Sequence, residues 1–380
     1  MPRSYARWGT FMVNSGSRDV SAADLIAQTI GAIPGPDSIA TADAVRRQDT
    51  LTKPPGSLGR LEDLAVRIAG IRRTARPRLE DRLIVVAAAD HGVAKRGVSA
   101  YPPEVTAQMV QNFLAGGAAI NVLARHADAR VRIVDAGVAS ETPNHPALTQ
   151  LRLGSGTADI SIGPAMTVAQ AELAVAAGIT LVEEEAQHGL DIIGCGEMGI
   201  GNSTAAAAII AAVTGVPPRA VTGRGTGVDD ERFETKVRAV EAALEVNRPD
   251  PTSGIDLLAK IGGFEVGVLA GVYLGAAARS IPVVVDGVIS GAAALIAATM
   301  SPDVRDYLIA SHRSAEPGHT ITLTHLRLEP LLDLGMRLGE GSGAALGMTL
   351  CVAACRVLDE MATFDEAGVT SSDEVVEPEA

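Results

Sequence analysis

Four short apolar runs constrain this chain more than any other feature: LIVVAAAD (83–90), VRIVDAG (131–137), LDIIGCGE (190–197) and IPVVVDG (281–287). None alternates polar with apolar residues, as expected of strands buried on both faces, and each runs out into an acid with a glycine close by. Polar groups are tolerated only where such a strand reaches the surface. The pattern therefore predicts parallel strands whose carboxyl ends open onto a ligand crevice. DYLIASH (306–312) reads as a fifth strand, ending in Ser311 and His312.

Segments with helical spacing lie between the runs, at about 103–126, 167–187, 202–213, 230–246, 263–279 and 288–298. This alternation predicts an α/β fold with a Rossmann-like parallel sheet flanked by helices. Residues 21–75 and 329–362 read as wholly helical, so a smaller helical domain built from both ends of the chain is expected beside a large α/β domain at 76–328. Residues 1–20 read as a disordered extension, and the acidic stretch 364–380 as a disordered tail.

Composition excludes several function classes. Aromatic residues are only 3% of the chain, so the core must be built from Ala, Val, Leu and Ile. Eight acids and no base lie in the last 22 residues, so most of the net charge of −13 belongs to a tail. No basic run favours nucleic acid, and no apolar stretch predicts a membrane span. Cys195, Cys351 and Cys355 show no CxxC spacing and fit core thiols in a reducing, cytoplasmic setting.

Several stretches carry chemistry. GCGEMG (194–199) matches the dinucleotide fingerprint, which leaves a nicotinamide-dependent oxidoreductase open. Against it, Glu197 would place negative charge in the pyrophosphate loop, and no acid follows about 20 residues on for the ribose. The glycine-lined amides of GEMGIGNST and the helix beginning near Asn202 suit one phosphate instead. GRGTGVDDE (223–231) lacks a Walker ending, and its amides followed by Lys236 suit a monophosphate. On spacing alone, Lys236 reads as a solvated helix lysine. Asp90 and His91 fit a loop-ordering hydrogen bond or catalysis. His312 and His319 stand seven apart without a cluster of metal-ligand spacing, so no metal is assigned. In RLGEGSGAALGM (337–348), Glu340 stands between two glycines. It is either an acid presented to a ligand or a helix-end carboxylate that complements the macrodipole.

Taken together, LTKPPGSLGRLE (51–62), ADHGVAKRGVSAYPPEVT (89–106), GCGEMGIGNST (194–204), GRGTG (223–227), VVVDGVISGAAA (283–294), SHRSAEPGH (311–319) and RLGEGSGAA (337–345) resemble the nicotinate-nucleotide–dimethylbenzimidazole phosphoribosyltransferase family, in unbroken order over about residues 25–362. The resemblance implies a six-stranded α/β domain, a homodimer and no cofactor. The implied substrates are nicotinate mononucleotide and dimethylbenzimidazole, and the product, α-ribazole 5′-phosphate, serves cobalamin assembly. It further implies Glu340 as general base and Glu197 as a second active-site carboxylate. Met198, Gly199, Gly225, Lys236, Ser314, Leu338 and Gly339 match mononucleotide-binding positions, with Asp286 and Gly287 at the same crevice. The base pocket maps onto Ser99 to Met109, where Tyr101 and Met109 depart from the serine and glutamine found in some members. Adenine or a phenol as acceptor therefore stays open.

Overall fold

Strand β1 (Arg82–Ala89) is buried along its whole length. The computed structural model describes residues 20–370 and sets β1 at the centre of a six-stranded, all-parallel sheet. The other strands are β2 (Arg130–Gly137), β3 (Leu148–Gln150), β4 (Ile192–Met198), β5 (Val283–Val285) and β6 (Leu308–Ala310). Their order is β3-β2-β1-β4-β5-β6. In register, Val86 of β1 lies between Ile133 and Gly196. The chain winds outward from β1 on one side and returns to it on the other. The loops after β1 and β4 consequently diverge, and a crevice opens at the carboxyl ends.

Among the described residues, fifteen α-helices surround the sheet: α1 (Ala22–Gly31), α2 (Ser38–Thr50), α3 (Arg60–Arg72), α4 (Val105–Leu114), α5 (Ala119–His126), α6 (Val168–Ala186), α7 (Asn202–Thr214), α8 (Pro218–Val221), α9 (Asp230–Asn247), α10 (Gly254–Ile261), α11 (Phe264–Ala278), α12 (Val288–Met300), α13 (Pro317–Leu326), α14 (Ser342–Glu360) and α15 (Phe364–Ala367). The period of two along β1 sorts them into two layers. Leu83, Val85, Ala87 and Ala89 join the core with α6, α7, α11 and α12. Ile84, Val86 and Ala88 join a second core with α3, α4, α5 and α14. Helix α1 packs on α6 and α11, while α3 packs on α2 and α14. α14 is long and apolar enough to cross a membrane by length and composition, but its apolar face is a core face, with Met348, Cys351 and Leu358 buried. All three cysteines are buried and free.

Several local expectations are corrected. The helix expected over 103–126 breaks into α4 and α5, because Gly116 adopts a left-handed φ of 77°. The three-residue β3 and the helices α10 and α13 were not anticipated, being short or proline-initiated. Residues 329–341 are not helical, and α14 starts only at Ser342. In 21–75, three helices are separated by turns rather than being continuous. Phe364–Ala367 forms a helical turn closed by a Thr363–Glu366 capping box instead of beginning a disordered tail. The rest of that tail from 371 and the extension 1–19 lie outside the described residues.

Candidate active site

The GCGEMG stretch is strand for most of its length, not a phosphate loop. Gly196 is bare because a Cβ there would run into the backbone of Glu340 and Gly341, and a Cβ on Gly199 would strike the Ala89 carbonyl. These glycines serve close backbone approach, so the fingerprint that left an oxidoreductase open has a packing origin. β4 ends at Glu197 and Met198, and the chain turns through Gly201, φ 99°, into α7. No side chain caps α7, whose first residues Asn202 and Ser203 line the cleft.

That cleft, about 700 Å³, lies over the carboxyl ends of β4, β5 and β6. It collects Glu197 and Met198 from the end of β4, Gly199 just after it, Gly287 after β5, Ser314 after β6, and Leu338, Gly339 and Glu340 ahead of α14. Tyr101 and Met109 line it from the segment after β1, and Gly225 from the loop before α9. Three residues expected at the site do not line it. Ser99 Oγ lies 3.3 Å from Thr226 Oγ1, tying the two loops together. Asp286 lies beneath, accepting from the Gly341 amide (3.0 Å) and the Ala344 amide (2.9 Å). Lys236 is 1% exposed, contrary to a solvated helix lysine. Its Nζ donates to Ser203 Oγ at 3.0 Å and to the Gly223 carbonyl at 2.9 Å, directly under Gly225.

Sequence reasoning missed Ser203, Thr226, Glu316 and Arg337 and weighed His312 only as a metal ligand, and all five line the cleft. Each stands within or beside a stretch already singled out, and that adjacency was the available signal. Glu316 Oε1 accepts from the Gly225 amide at 2.9 Å, and Arg337 Nη1 donates to the Gly225 carbonyl at 3.0 Å. His312 and His319 are neighbours rather than a ligand pair, since His319 Nδ1 accepts the Ser314 amide at 3.0 Å. Burial pushes His319 down to about 3, so it is neutral. His91 and Asp90 stay out of the cleft: His91 Nε2 meets Glu265 Oε1 at 2.7 Å inside the protein, and Asp90 orders a loop through the Ala139 amide.

Glu340 has φ 62°, between Gly339 at 83° and Gly341 at 86°. Three successive left-handed residues are costly when the middle one carries a side chain, so the surrounding structure must impose the conformation. Burial raises the Glu340 carboxyl above the ordinary carboxylate value, opposed by a hydrogen bond from the Ile120 backbone. Its Oε2 has no hydrogen-bond partner among the described residues. Glu197, to which Asn202 Nδ2 donates, is pushed up to about 8, by burial first and then by Glu265, Asp286 and Glu340. Asp286 is raised to about 7 by burial against the lowering effect of backbone amides. Buried acids thus meet at one end of the cleft and a buried lysine lies under the other, where its own burial depresses it to about 8.

A parallel sheet with a crevice at its switch point, amide-rich loops over a buried lysine and an unpaired acid opposite them form a nucleotide-handling site of the transferase kind. In agreement, the family profile described as "Phosphoribosyltransferase" matches residues 33–369. The chain is 61% identical over 346 residues to the nicotinate-nucleotide–dimethylbenzimidazole phosphoribosyltransferase of Roseiflexus sp. (strain RS-1), covering 91% of this chain and 98% of that protein. It is 58% identical over 350 residues to the protein of the same name from Chloroflexus aggregans, covering 92% and 99%. The crystal structure of that phosphoribosyltransferase from Thermus thermophilus superposes with a TM-score of 0.84 at 47% identity, over 88% of this chain and all of that one. The chain belongs to the nicotinate-nucleotide–dimethylbenzimidazole phosphoribosyltransferase family and is a pentosyltransferase enzyme.

Proposed function

We propose that this enzyme transfers the phosphoribosyl group of nicotinate mononucleotide to dimethylbenzimidazole, releasing nicotinate and forming α-ribazole 5′-phosphate for cobalamin assembly, with Glu340 as general base. The observation that carries the reading is Glu340 itself: a buried carboxylate with a raised pKa, an unpartnered Oε2 and an imposed left-handed backbone, beside the half-buried Val105 and Met109. Desolvation brings a carboxylate closer to the pKa at which a base works near neutrality.

The chemistry needs one base and no acid. Nicotinate departs from a ring nitrogen that is already cationic, so the departing electron pair neutralises the ring. Glu340 takes the benzimidazole N–H proton while the other ring nitrogen attacks C1′. Attack from the face opposite nicotinate inverts β to α. A donor bearing a pyridinium charge also suits an acid-lined wall, since the cation favours the ionised form of Glu197 beside it. At the other end, the first turn of α7 and Lys236, beneath the Gly223–Gly227 loop, favour the phosphate. The acceptor end, with Tyr101, Val105, Met109 and Leu338, is apolar around the base and suits an aryl ring without polar substituents.

In this reading the segments 21–75 and 329–362 form a smaller helical domain that delivers Glu340 to donor loops carried by 76–328, and the protein works as a cytoplasmic homodimer. The test is direct. The purified protein is incubated with nicotinate mononucleotide and a panel of dimethylbenzimidazole, adenine and a phenol, and products are identified with their C1′ configuration. The expected result is an α-linked product, formed fastest from dimethylbenzimidazole. A β-linked product would overturn inversion, and a faster adenine or phenol reaction would overturn the acceptor.

A further inference from the structure

The left-handed turn under Glu340 needs something to hold it. No side chain of α14 or of the residues just before it caps that helix, whose leading amides would otherwise be orphaned. The missing cap comes from 55 residues away. Asp286, at the end of β5 and 1% exposed, accepts from the Gly341 amide through Oδ2 and from the Ala344 amide through Oδ1, so one carboxylate grips the peptide immediately after Glu340 and the first turn beyond it. From the other side, Ser342 donates to the Gly339 carbonyl through its amide (3.0 Å) and its Oγ (2.7 Å). Gly196 and Gly343 keep the space clear, since a Cβ on the first would strike the Glu340–Gly341 peptide and one on the second would strike His312 and Asp286.

Asp286 makes no ion pair among the described residues and does not line the cleft. A buried carboxylate with no cation is expensive, and a neutral side chain would fill the space more cheaply. What the Asp286 carboxyl group secures is two well-aimed amides, and the backbone they lock is that of Glu340.

We propose that Asp286 is the positioning residue for Glu340: by clamping the Gly341 and Ala344 amides it imposes the Gly339–Gly341 turn and aims the Glu340 carboxylate at the acceptor, without touching either substrate. This rests on the assignment of Glu340 as base. Asp286→Asn keeps the shape but turns an amide N–H toward one of the two donors. The expected result is a fall in kcat of about tenfold to a hundredfold, the scale of a small misplacement of a reacting group, with KM for nicotinate mononucleotide unchanged.

The decisive measurement is the double variant. If Asp286 acts through Glu340, adding Asp286→Asn to Glu340→Gln causes no further loss. Ser342→Ala, a milder release of the same turn, should give a smaller fall in kcat with the same non-additivity, and it serves if Asp286→Asn does not fold. Losses that multiply in the double variants, a raised KM for the mononucleotide, or wild-type kcat in the single variants would overturn the positioning role. Failure of the base assignment is seen separately, as wild-type kcat in Glu340→Gln alone, and removes the basis of the proposal.

Discussion

The two ends of the cleft solve opposite problems with buried charge. At the proposed phosphate end, Lys236 donates to Ser203 and the Gly223 carbonyl, and the glycine loop above it is pinned by Glu316 and Arg337. At the acid end, Glu340 has an oxygen without a partner among the described residues, on a strained backbone, and Glu197 lies close to Glu265, Asp286 and Glu340. A satisfied charge is a fixed electrostatic platform, suited to a group that is bound equally before and during reaction. An unsatisfied acid with a raised pKa is reactive, and suits a proton that moves only as bonds change. The proposed reaction thereby assigns binding energy and chemistry to different ends, and variants should separate them.

The sharpest separation is expected from Glu340→Gln, which keeps size and hydrogen-bonding reach but cannot take the proton. kcat with dimethylbenzimidazole should fall by roughly two to four orders of magnitude, with KM for the mononucleotide nearly constant. The loss should shrink for an acceptor that needs no deprotonation. Steady-state kinetics showing near wild-type kcat would return Glu340 to a helix-end carboxylate.

Lys236→Ala should show the converse. KM for the mononucleotide should rise by about tenfold to a hundredfold, the value of one charge-assisted interaction, with little change in kcat. A loss confined to kcat would erase the distinction between the two ends.

Gly196→Ala tests the acid end from below. The new methyl meets the Glu340–Gly341 peptide, so overpacking should lower the melting temperature, and kcat should fall by about tenfold as the turn shifts. An unchanged kcat would show that the turn tolerates displacement.

The pH dependence should divide in the same way. As the proposed base, Glu340 must be ionised, and its carboxyl is raised, so kcat should fall as pH drops through that elevated value. Lys236 is depressed to about 8, so above that pH the platform loses its charge and KM for the mononucleotide should rise several-fold. The sign follows from the charge each step requires, an anionic base and a cationic platform. If kcat carried the alkaline limb instead, Lys236 would belong with the chemistry. The smallest effect expected is from exhaustive chelation. Among the described residues no His, Cys, Asp and Glu side chains group to hold a metal, and activity should be unchanged. Loss rescued by one added metal would overturn this.

Much of the fold is legible in the sequence. β1, β2 and β4 follow the apolar runs closely, because a strand buried on both faces carries an unmistakable uninterrupted signal. Short β3 and the proline-initiated α13 carry too few residues for periodicity to speak. Within the candidate site, Glu340 was marked by its glycine frame, while Glu197, Met198 and Gly225 came from the family resemblance, and the cleft brings all four together. Glu316 and Arg337 escaped because nothing local marks a charge whose partner is Gly225, about a hundred positions away.

What the sequence determined by itself is therefore the set of elements, their alternation and the acids at the strand ends, all properties of neighbours along the chain. Only the tertiary structure decided what those acids do. It placed bare Gly196 beneath the Glu340 peptide, turned Asp286 from a crevice residue into the cap of a helix 55 residues on, and drew Lys236 out of solvent to a position under Gly225. The physical reason is that a side chain's protonation and its partners depend on what desolvates it. Across a parallel sheet the desolvating groups come from segments that the sequence keeps far apart.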